Sequence, residues 1–288
     1  MHREEENKRL TQRIALLEDE LNIMRNRMQN LQSNILSNIS HNIRTPMNAI
    51  VGFANLLTNE QMDNKDREDC IDQINSNSTE LLEIIDNMID ASLLQCDHLT
   101  LFKKECNVNN ILDDLFDIYN KSTTVRHKKL NLIVSKGENN DFTIVTDYKR
   151  LKQVLHNLIS NAVKFTNSGD VEFGYNRLKD DKVTFFVKDT GIGLGPLNHE
   201  DLFKPFNVGT NSDKFIIYQG AGLGLAVSKN LIKLMGGDMW PENVPEGGTC
   251  FYFTLPAKRN SFQKSKLQFI SALTKFNIAS FFYLYIID

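Results

Sequence analysis

Apolar residues near the start of the chain recur at alternating spacings of four and three. The positions between them carry mainly charged or amide side chains. The repeating residues are Leu10, Ile14, Leu17, Leu21, Met24, Met28, Leu31 and Ile35. This pattern predicts a coiled coil, because a single helix cannot bury so long an apolar seam alone. We therefore expect a parallel dimer, with one helix packed on a globular neighbour as the alternative.

The apolar face continues through residues 36–58, and turn-forming residues follow at Thr58–Asn64. A second amphipathic stretch begins near Lys65 and keeps helical spacing as far as Ile89. Two antiparallel helices form a hairpin, and two hairpins in a dimer form a four-helix bundle. We therefore predict a coiled coil over residues 1–36 and a dimerisation hairpin over residues 37–98.

The pattern changes after about Leu99, where short β-rich runs alternate with helical segments. Strands are predicted at Asn131–Ser135, Asp170–Tyr175, Lys182–Lys188 and Thr249–Leu255. Helices are predicted at Val108–Val125, Tyr148–Phe165 and Leu223–Leu234. The last strands lack crossover helices, so we expect a mixed sheet backed by helices on one side. An aromatic-rich tail over residues 257–288 has no predicted role.

Composition narrows the possible functions. Lys+Arg 33 against Asp+Glu 36 gives a net charge of −3, which argues against a nucleic-acid partner. The four cysteines lie far apart without a Cys-x-x-Cys pair, so neither a zinc site nor a disulfide scaffold is expected. The highly charged first residues do not form a signal peptide. We expect a cytoplasmic protein.

The string SHNIRTPMNAI begins at Ser40 and contains His41 and Pro46. On a helix, His41 lies about 160° from both Ile39 and Ile43, so it should point away from the apolar core. Pro46 lacks a backbone N–H and should kink the helix one turn later. On the helix pattern alone, an ordinary surface histidine is the alternative to a functional one.

The same string resembles the phospho-acceptor box of sensor histidine kinases of two-component systems. The resemblance implies that His41 attacks the γ-phosphate of ATP. The phosphoryl group then passes to an Asp in the receiver domain of a response regulator. A neutral imidazole is required, and an ordinary histidine is mostly neutral at cytosolic pH.

Asn42 departs from the family, whose members usually carry Glu or Asp directly after the histidine. That carboxylate is thought to accept a proton from the other ring nitrogen, which an amide cannot do. We therefore predict slower autophosphorylation. Thr45 matches the family position that orients water for dephosphorylating the regulator. The alternative function is thus an ATP-binding but weakly active or silent dimeric module that acts mainly as a response-regulator phosphatase.

The string QVLHNLISNAVKFT places Asn157 and Asn161 on one helical face, with Lys164 one turn further. Without other information, this could be the wet face of an ordinary helix. The string resembles the N box of the same family. The resemblance implies that Asn161 supplies an amide oxygen to Mg²⁺, which otherwise keeps water and phosphate ligands. Asn157 would assist, and Lys164 would contact the phosphates.

The string DTGIG contains Asp189, Gly191 and Gly193 and resembles the G1 box. There the carboxylate accepts a hydrogen bond from the adenine amino group, and the glycines let the backbone approach the base. Phe203 and Phe206 resemble the F box, whose packing anchors a mobile lid.

The string GAGLGL contains Gly220, Gly222 and Gly224 and resembles the G2 box, whose N–H groups face the triphosphate at the start of a helix. The preceding segment, Asn207–Gln219, resembles an ATP lid, with Lys214 as a phosphate contact.

The resemblance covers roughly residues 36–256. It implies histidine phosphotransfer in the hairpin over residues 37–98. It also implies an α/β two-layer sandwich of the Bergerat ATP-binding type over residues 99–256. The expected assembly is a homodimer that uses ATP and Mg²⁺. The resemblance also implies that the coiled coil over residues 1–36 is a signalling helix, and we expect a membrane connection only through a sensor region that is not in this chain. Another Bergerat-type ATPase, such as a chaperone or a mismatch-repair protein, is disfavoured by the phospho-acceptor box.

Overall fold

The computed structural model describes Arg13 and residues 37–59, 62–96, 98–137, 142–177, 181–195, 200–205, 222–245 and 247–257. Apart from Arg13, the predicted coiled coil lies outside these residues, as does the tail after Ala257. Phe206, Lys214 and Gly220 lie outside them too. The chain divides into two compact units. The first ends at Leu99 and also takes in Phe203–Val227, and the second comprises Thr100–Leu202 and the chain from Ser228 onward.

The first unit contains a helical hairpin. Helix α1 covers residues 37–56, a turn follows at 57–58, and helix α2 is Asn64–Gln95. The Asp63 side chain caps α2 by accepting a hydrogen bond from the Asp66 backbone N–H at 2.7 Å. Both helices and the turn confirm the sequence prediction. The helix also continues through Pro46, which cannot donate a hydrogen bond to the Asn42 carbonyl. The predicted kink there stays a prediction.

Helix α2 carries two apolar stripes. The inner stripe is buried or half-buried and follows heptad spacing, with one polar residue, Asn77, among the apolar ones: Cys70, Ile74, Asn77, Leu81, Ile84, Met88 and Ala91. The outer stripe consists of Leu82, Ile85, Ile89 and Leu93, whose exposed fractions run from 36% to 63%. Met47 and Val51 of α1 are similarly exposed. Among the described residues, the hairpin therefore exposes a substantial apolar surface.

The second unit contains two sheets. Strands β1 (Lys104–Asn107) and β3 (Thr143–Thr146) form an antiparallel pair. The other sheet has five strands in the order β2-β4-β5-β7-β6. Their bounds are β2 Leu130–Ser135, β4 Gly169–Arg177, β5 Lys182–Asp189, β6 Met239–Asn243 and β7 Thr249–Pro256. Only β2 and β4 pair in parallel, which confirms the predicted mixed sheet.

In the described residues, helices α3 Val108–Asn120, α4 Thr123–His127 and α5 Tyr148–Phe165 belong to this unit, and α6 Gly224–Leu234 belongs to it from Ser228 onward. A short 3-10 turn covers Asp201–Phe203. The predicted single helix over Val108–Val125 was wrong at its end. Ser122 has an extended backbone and donates its N–H to the Tyr119 carbonyl, so α3 ends before Ser122 and a separate helix, α4, follows. Helix α5 matches its prediction because the Asp147 carboxylate caps its first turn.

The core of the second unit lies between the five-stranded sheet and its helices. Helix α5 packs on β4 and β5, and α3 packs on β2. Phe173, Phe185 and Phe253 face inward and are fully buried. The rings of Phe185 and Phe253 stack with centroids 4.7 Å apart. This layer holds α5 against the end of β5, where the predicted nucleotide-binding motifs meet.

Candidate functional site

His41 lies on α1 with its side chain exposed to solvent. One turn later, the Thr45 hydroxyl donates a hydrogen bond to the His41 carbonyl oxygen at 3.1 Å. Asn42 is half-buried, so successive residues point in different directions, as expected at 100° per residue. The imidazole is therefore accessible to a reactant, and Thr45 is held beside it on the same turn.

Asp189 ends strand β5 and is only 6% exposed. Its Oδ1 accepts hydrogen bonds from the backbone N–H groups of Gly191, at 2.8 Å, and Thr249, at 3.3 Å. Burial raises the pKa of the Asp189 carboxyl, and the two backbone hydrogen bonds offset part of that rise. Its Oδ2 has no hydrogen-bond partner in the part of the chain that the structure describes. One oxygen is therefore fixed, and the other can accept a hydrogen bond from a ligand.

Two glycines fold the backbone tightly around Asp189. A Cβ on Gly191 would lie 2.5 Å from the Phe165 carbonyl oxygen and 2.9 Å from Asp189 Oδ1. A Cβ on Gly248, whose φ is +93°, would lie 2.0 Å from the Asp189 carbonyl oxygen. No residue with a side chain fits at either position without rearrangement. The glycines therefore keep side chains out of the space beside Asp189.

Helix α5 carries the three residues of the predicted N box. Asn157 is buried, and its Nδ2 donates to the Oγ of the fully buried Ser228 at 3.3 Å. Asn161 is half-buried one turn later. Lys164 is also half-buried, with Nζ 5.8 Å from the centroid of the Phe165 ring. The close approach of Gly191 to the Phe165 carbonyl brings the last turn of this helix beside the Asp189 loop.

Gly222 and Gly224 lie at the start of α6. Gly222 has a φ of +63°, and the helix begins at Gly224. The first N–H groups of a helix have no intrahelical partner and attract anions. Phe203 is half-buried in the 3-10 turn. Phosphate contacts by Lys214 and Gly220 stay predictions, because both lie outside the described residues.

The donor set suits a magnesium ion that arrives with its nucleotide. No group of three or more His, Cys, Asp or Glu residues that could hold a metal occurs in the described ranges. Asn161 offers a neutral amide oxygen, and Mg²⁺ commonly takes few protein ligands while keeping water and phosphate oxygens. The residues therefore fit an ion held mainly by phosphates.

Three contacts of this region carry no signal that sequence reasoning could have used. Thr249 acts on Asp189 through its backbone N–H. Ser228 holds Asn157 from another helix. The Lys128 ammonium bonds the backbone at the end of α5. The contacts of Thr249 and Lys128 involve backbone groups, which every residue has, and Ser228 lies 71 residues from Asn157 in sequence, so no motif marks these partners.

Two models of known protein families match this chain. The model of the His Kinase A (phospho-acceptor) domain matches residues 31–96. The model of the histidine kinase-, DNA gyrase B- and HSP90-like ATPase matches residues 146–259. In the part of the chain that the structure describes, no helix combines the length and apolar character needed to cross a bilayer.

Relatives extend over both domains. Hybrid signal transduction histidine kinase B of Dictyostelium discoideum is 32% identical over 220 residues, which is 74% of this chain and 11% of that protein. Autoinducer 2 sensor kinase/phosphatase LuxQ of Vibrio vulnificus is 31% identical over 229 residues, which is 78% of this chain and 26% of LuxQ. This chain thus spans about a tenth to a quarter of the length of these relatives.

A solved structure is also similar to this chain. Full-length ShkA in complex with AMPPNP has a TM-score of 0.54 and 28% identity, covering 77% of this chain and 45% of that one. In this chain the phospho-acceptor domain precedes the ATPase domain, on either side of about residue 99. The chain therefore belongs to the family of two-component sensor histidine kinases.

Proposed function

We propose that this chain is the signalling core of a sensor histidine kinase. It phosphorylates His41 with Mg-ATP and passes the phosphoryl group to an Asp of a response regulator. The observation that carries the proposal is the pairing, within one chain, of an exposed His41 with a buried Asp189 that has one oxygen available. The first supplies a nucleophile, and the second supplies an acceptor for the adenine amino group.

The residues of the second unit would bind and orient the nucleotide. Asp189 Oδ2 accepts from the exocyclic amino group, and Gly191 and Gly193 let the backbone lie against the base. Asn161 holds Mg²⁺ with support from Asn157, and Lys164 contacts the phosphates. ATP supplies the γ-phosphoryl group, and Mg²⁺ neutralises charge on the phosphates. Catalysis of this kind rests mainly on positioning and charge neutralisation.

The first unit would supply the acceptor. His41 attacks as a neutral imidazole, and the proton on its other ring nitrogen must leave. Asn42 can accept a hydrogen bond and help to fix the tautomer, but it cannot take that proton. We therefore expect a slow kinase. Thr45 supports a second activity, dephosphorylation of the regulator, and LuxQ is named as a kinase and phosphatase. A module that acts mainly as a phosphatase is the alternative function.

The exposed outer stripe of α2 supports a homodimer. Apolar surface on a helix is stabilised by burial, at about 25 cal/mol per Å². A second hairpin would cover the outer stripe and complete a four-helix bundle. We propose that residues 37–98 dimerise in this way, that residues 99–256 bind ATP, and that the receiver domain of a response regulator is the third partner.

Phosphate incorporation from labelled Mg-ATP tests the kinase proposal. We expect acid-labile label on the wild-type protein and none on His41→Ala, because phosphohistidine hydrolyses in acid. His127→Ala is the matched control, since His127 is also exposed but lies on α4 of the second unit. Label that persists in His41→Ala, or its absence from a wild-type protein that binds ATP, would contradict the proposal.

The Asn42→Glu variant separates the two candidate functions. A carboxylate at this position can take the imidazole proton, so the initial rate of labelling should rise, by as much as about 10⁴-fold if proton acceptance is limiting. Regulator dephosphorylation is measured in parallel with Thr45→Ala. A rate unchanged by Asn42→Glu would show that the amide does not limit the kinase.

A further inference from the structure

Lys128 makes a polar contact with the end of α5 that the proposed function does not use. Its Nζ lies 2.8 Å from the carbonyl oxygens of Val163 and Lys164 and 3.0 Å from that of Thr166. An ammonium has three N–H donors, so these three bonds use all of them. The last carbonyls of a helix have no intrahelical partner, and Lys128 satisfies them at the end of α5.

The cation is placed for this contact by its own backbone. Lys128 follows α4, and its N–H donates to the Thr124 carbonyl at 3.0 Å. Lys129 then adopts a left-handed conformation with a φ of +52°, and strand β2 begins at the buried Leu130. Lys128 thus extends from a tight, hydrogen-bonded corner between a helix and the sheet.

Burying the Lys128 ammonium has a cost in desolvation free energy. Lys128 is half-buried, and burial lowers the pKa of its ammonium. Within the described residues, all of its hydrogen bonds go to backbone carbonyls and none to a carboxylate. Charge-assisted hydrogen bonds are shorter and stronger than neutral ones, and three of them offset the desolvation of the cation.

The turn that Lys128 holds is the turn that the nucleotide site depends on. It follows Asn161 directly and includes Lys164. Between two of the bonded carbonyls lies that of Phe165, against which Gly191 closes. Gly191 in turn donates its N–H to Asp189. A shift of this turn would therefore move the predicted Mg²⁺ ligand relative to the loop that fixes the adenine acceptor.

We propose that Lys128 is a positioning residue for the nucleotide site: its ammonium fixes the last turn of α5 and so the spacing between Asn161 and the Asp189 loop. The inference rests on the proposed function, because it requires the site to bind Mg-ATP. Lys128 itself contacts neither the nucleotide nor the metal in this scheme.

The test compares the Kd for Mg-ATP of the Lys128→Met variant of this chain with that of the wild type. Both are measured by calorimetry, well below the melting temperature of the variant. We expect the Kd to rise about tenfold or more, the range found when the groups that orient metal ligands are removed. Lys128→Arg, which keeps a cation with several donors, should recover most of the affinity. Lys129→Met is the matched control: it removes the same charge at the next, exposed residue and should bind like wild type.

A lysine that only stabilised the domain would lower the melting temperature of Lys128→Met and leave the Kd unchanged. That result would overturn the inference alone. A wild-type protein that does not bind Mg-ATP would overturn the proposed function and the inference together. Should Lys128→Met fail to fold, Lys128→Gln carries the test, because its neutral, shorter side chain cannot make all three bonds. Binding as tight as wild type by that folded variant would equally overturn the inference.

Discussion

The two principal helices of the molecule differ in how much of themselves they bury. Helix α2 of the hairpin has 3 buried residues among 32, whereas α5 of the second unit has 8 among 18. The sheet gives α5 a complete apolar partner within the same chain. Among the described residues, by contrast, the outer stripe of α2 is exposed to solvent. The nucleotide-binding unit therefore buries α5 within one chain, whereas the hairpin leaves apolar surface that the proposed second copy would cover.

The largest effect should come from the core of the second unit. Phe185 is fully buried and stacked on Phe253, so Phe185→Ala should lower the free energy of unfolding by about 3–5 kcal/mol. Trp240, the single tryptophan of the chain, lies on β6 and reports this transition by fluorescence in a denaturant titration. A midpoint independent of protein concentration would agree with a unit completed by one chain, and a loss under 1 kcal/mol would contradict the packing.

A smaller effect should follow in the hairpin, and it should depend on protein concentration. Leu82 is 63% exposed in one chain, so Leu82→Ser should weaken the proposed dimer by about 2–4 kcal/mol, counting both copies. Analytical ultracentrifugation measures the dimer Kd. Ile118→Ser is the matched control, since Ile118 is an exposed apolar residue on α3 of the second unit. Equal dimer affinity for Leu82→Ser and wild type would exclude the outer stripe as the interface.

The smallest predicted effect is the pH dependence of adenosine binding that Asp189 should cause. Burial raises the pKa of this carboxyl above its ordinary value of 3.8. A ligand amino group binds the ionised form, so adenosine affinity should fall as the pH falls through the raised pKa. Over the same interval the free energy of unfolding should rise, because protonation removes a buried charge. Calorimetry with adenosine, which has no phosphate to titrate, follows the first quantity.

Two comparisons check the assignment to Asp189. Asp189→Asn should bind adenosine about 10–100-fold more weakly, because an amide N–H would face the adenine amino group, and its pH profile should be flat. Inosine, which carries an oxygen in place of the amino group, should bind weakly to the wild-type protein. Equal binding of the two nucleosides would place the base elsewhere.

Sequence patterns predicted those elements whose local signals agree with the fold. Helix α5 was predicted from end to end because its cap and its apolar spacing coincide. Strands β1 and β3 were missed because four residues are too few to show a period, and β6 because Pro241 interrupts it on an edge. Within the site, Asp189 and Gly191 belong to one short motif. Lys128 was missed because it bonds backbone carbonyls 35 to 38 residues away, which no local pattern records.

The hydrogen bond from the Thr45 hydroxyl to the His41 carbonyl determines how a water molecule can bind to that hydroxyl. A hydroxyl has one proton, and that of Thr45 is directed at its own helix. Any water molecule bound to the exposed Oγ1 must then point one of its own hydrogens toward the threonine. Its electron pairs consequently face away from the helix, which is the orientation in which water attacks an electrophile. One intrahelical contact would thus orient a water molecule beside His41, the proposed phospho-acceptor.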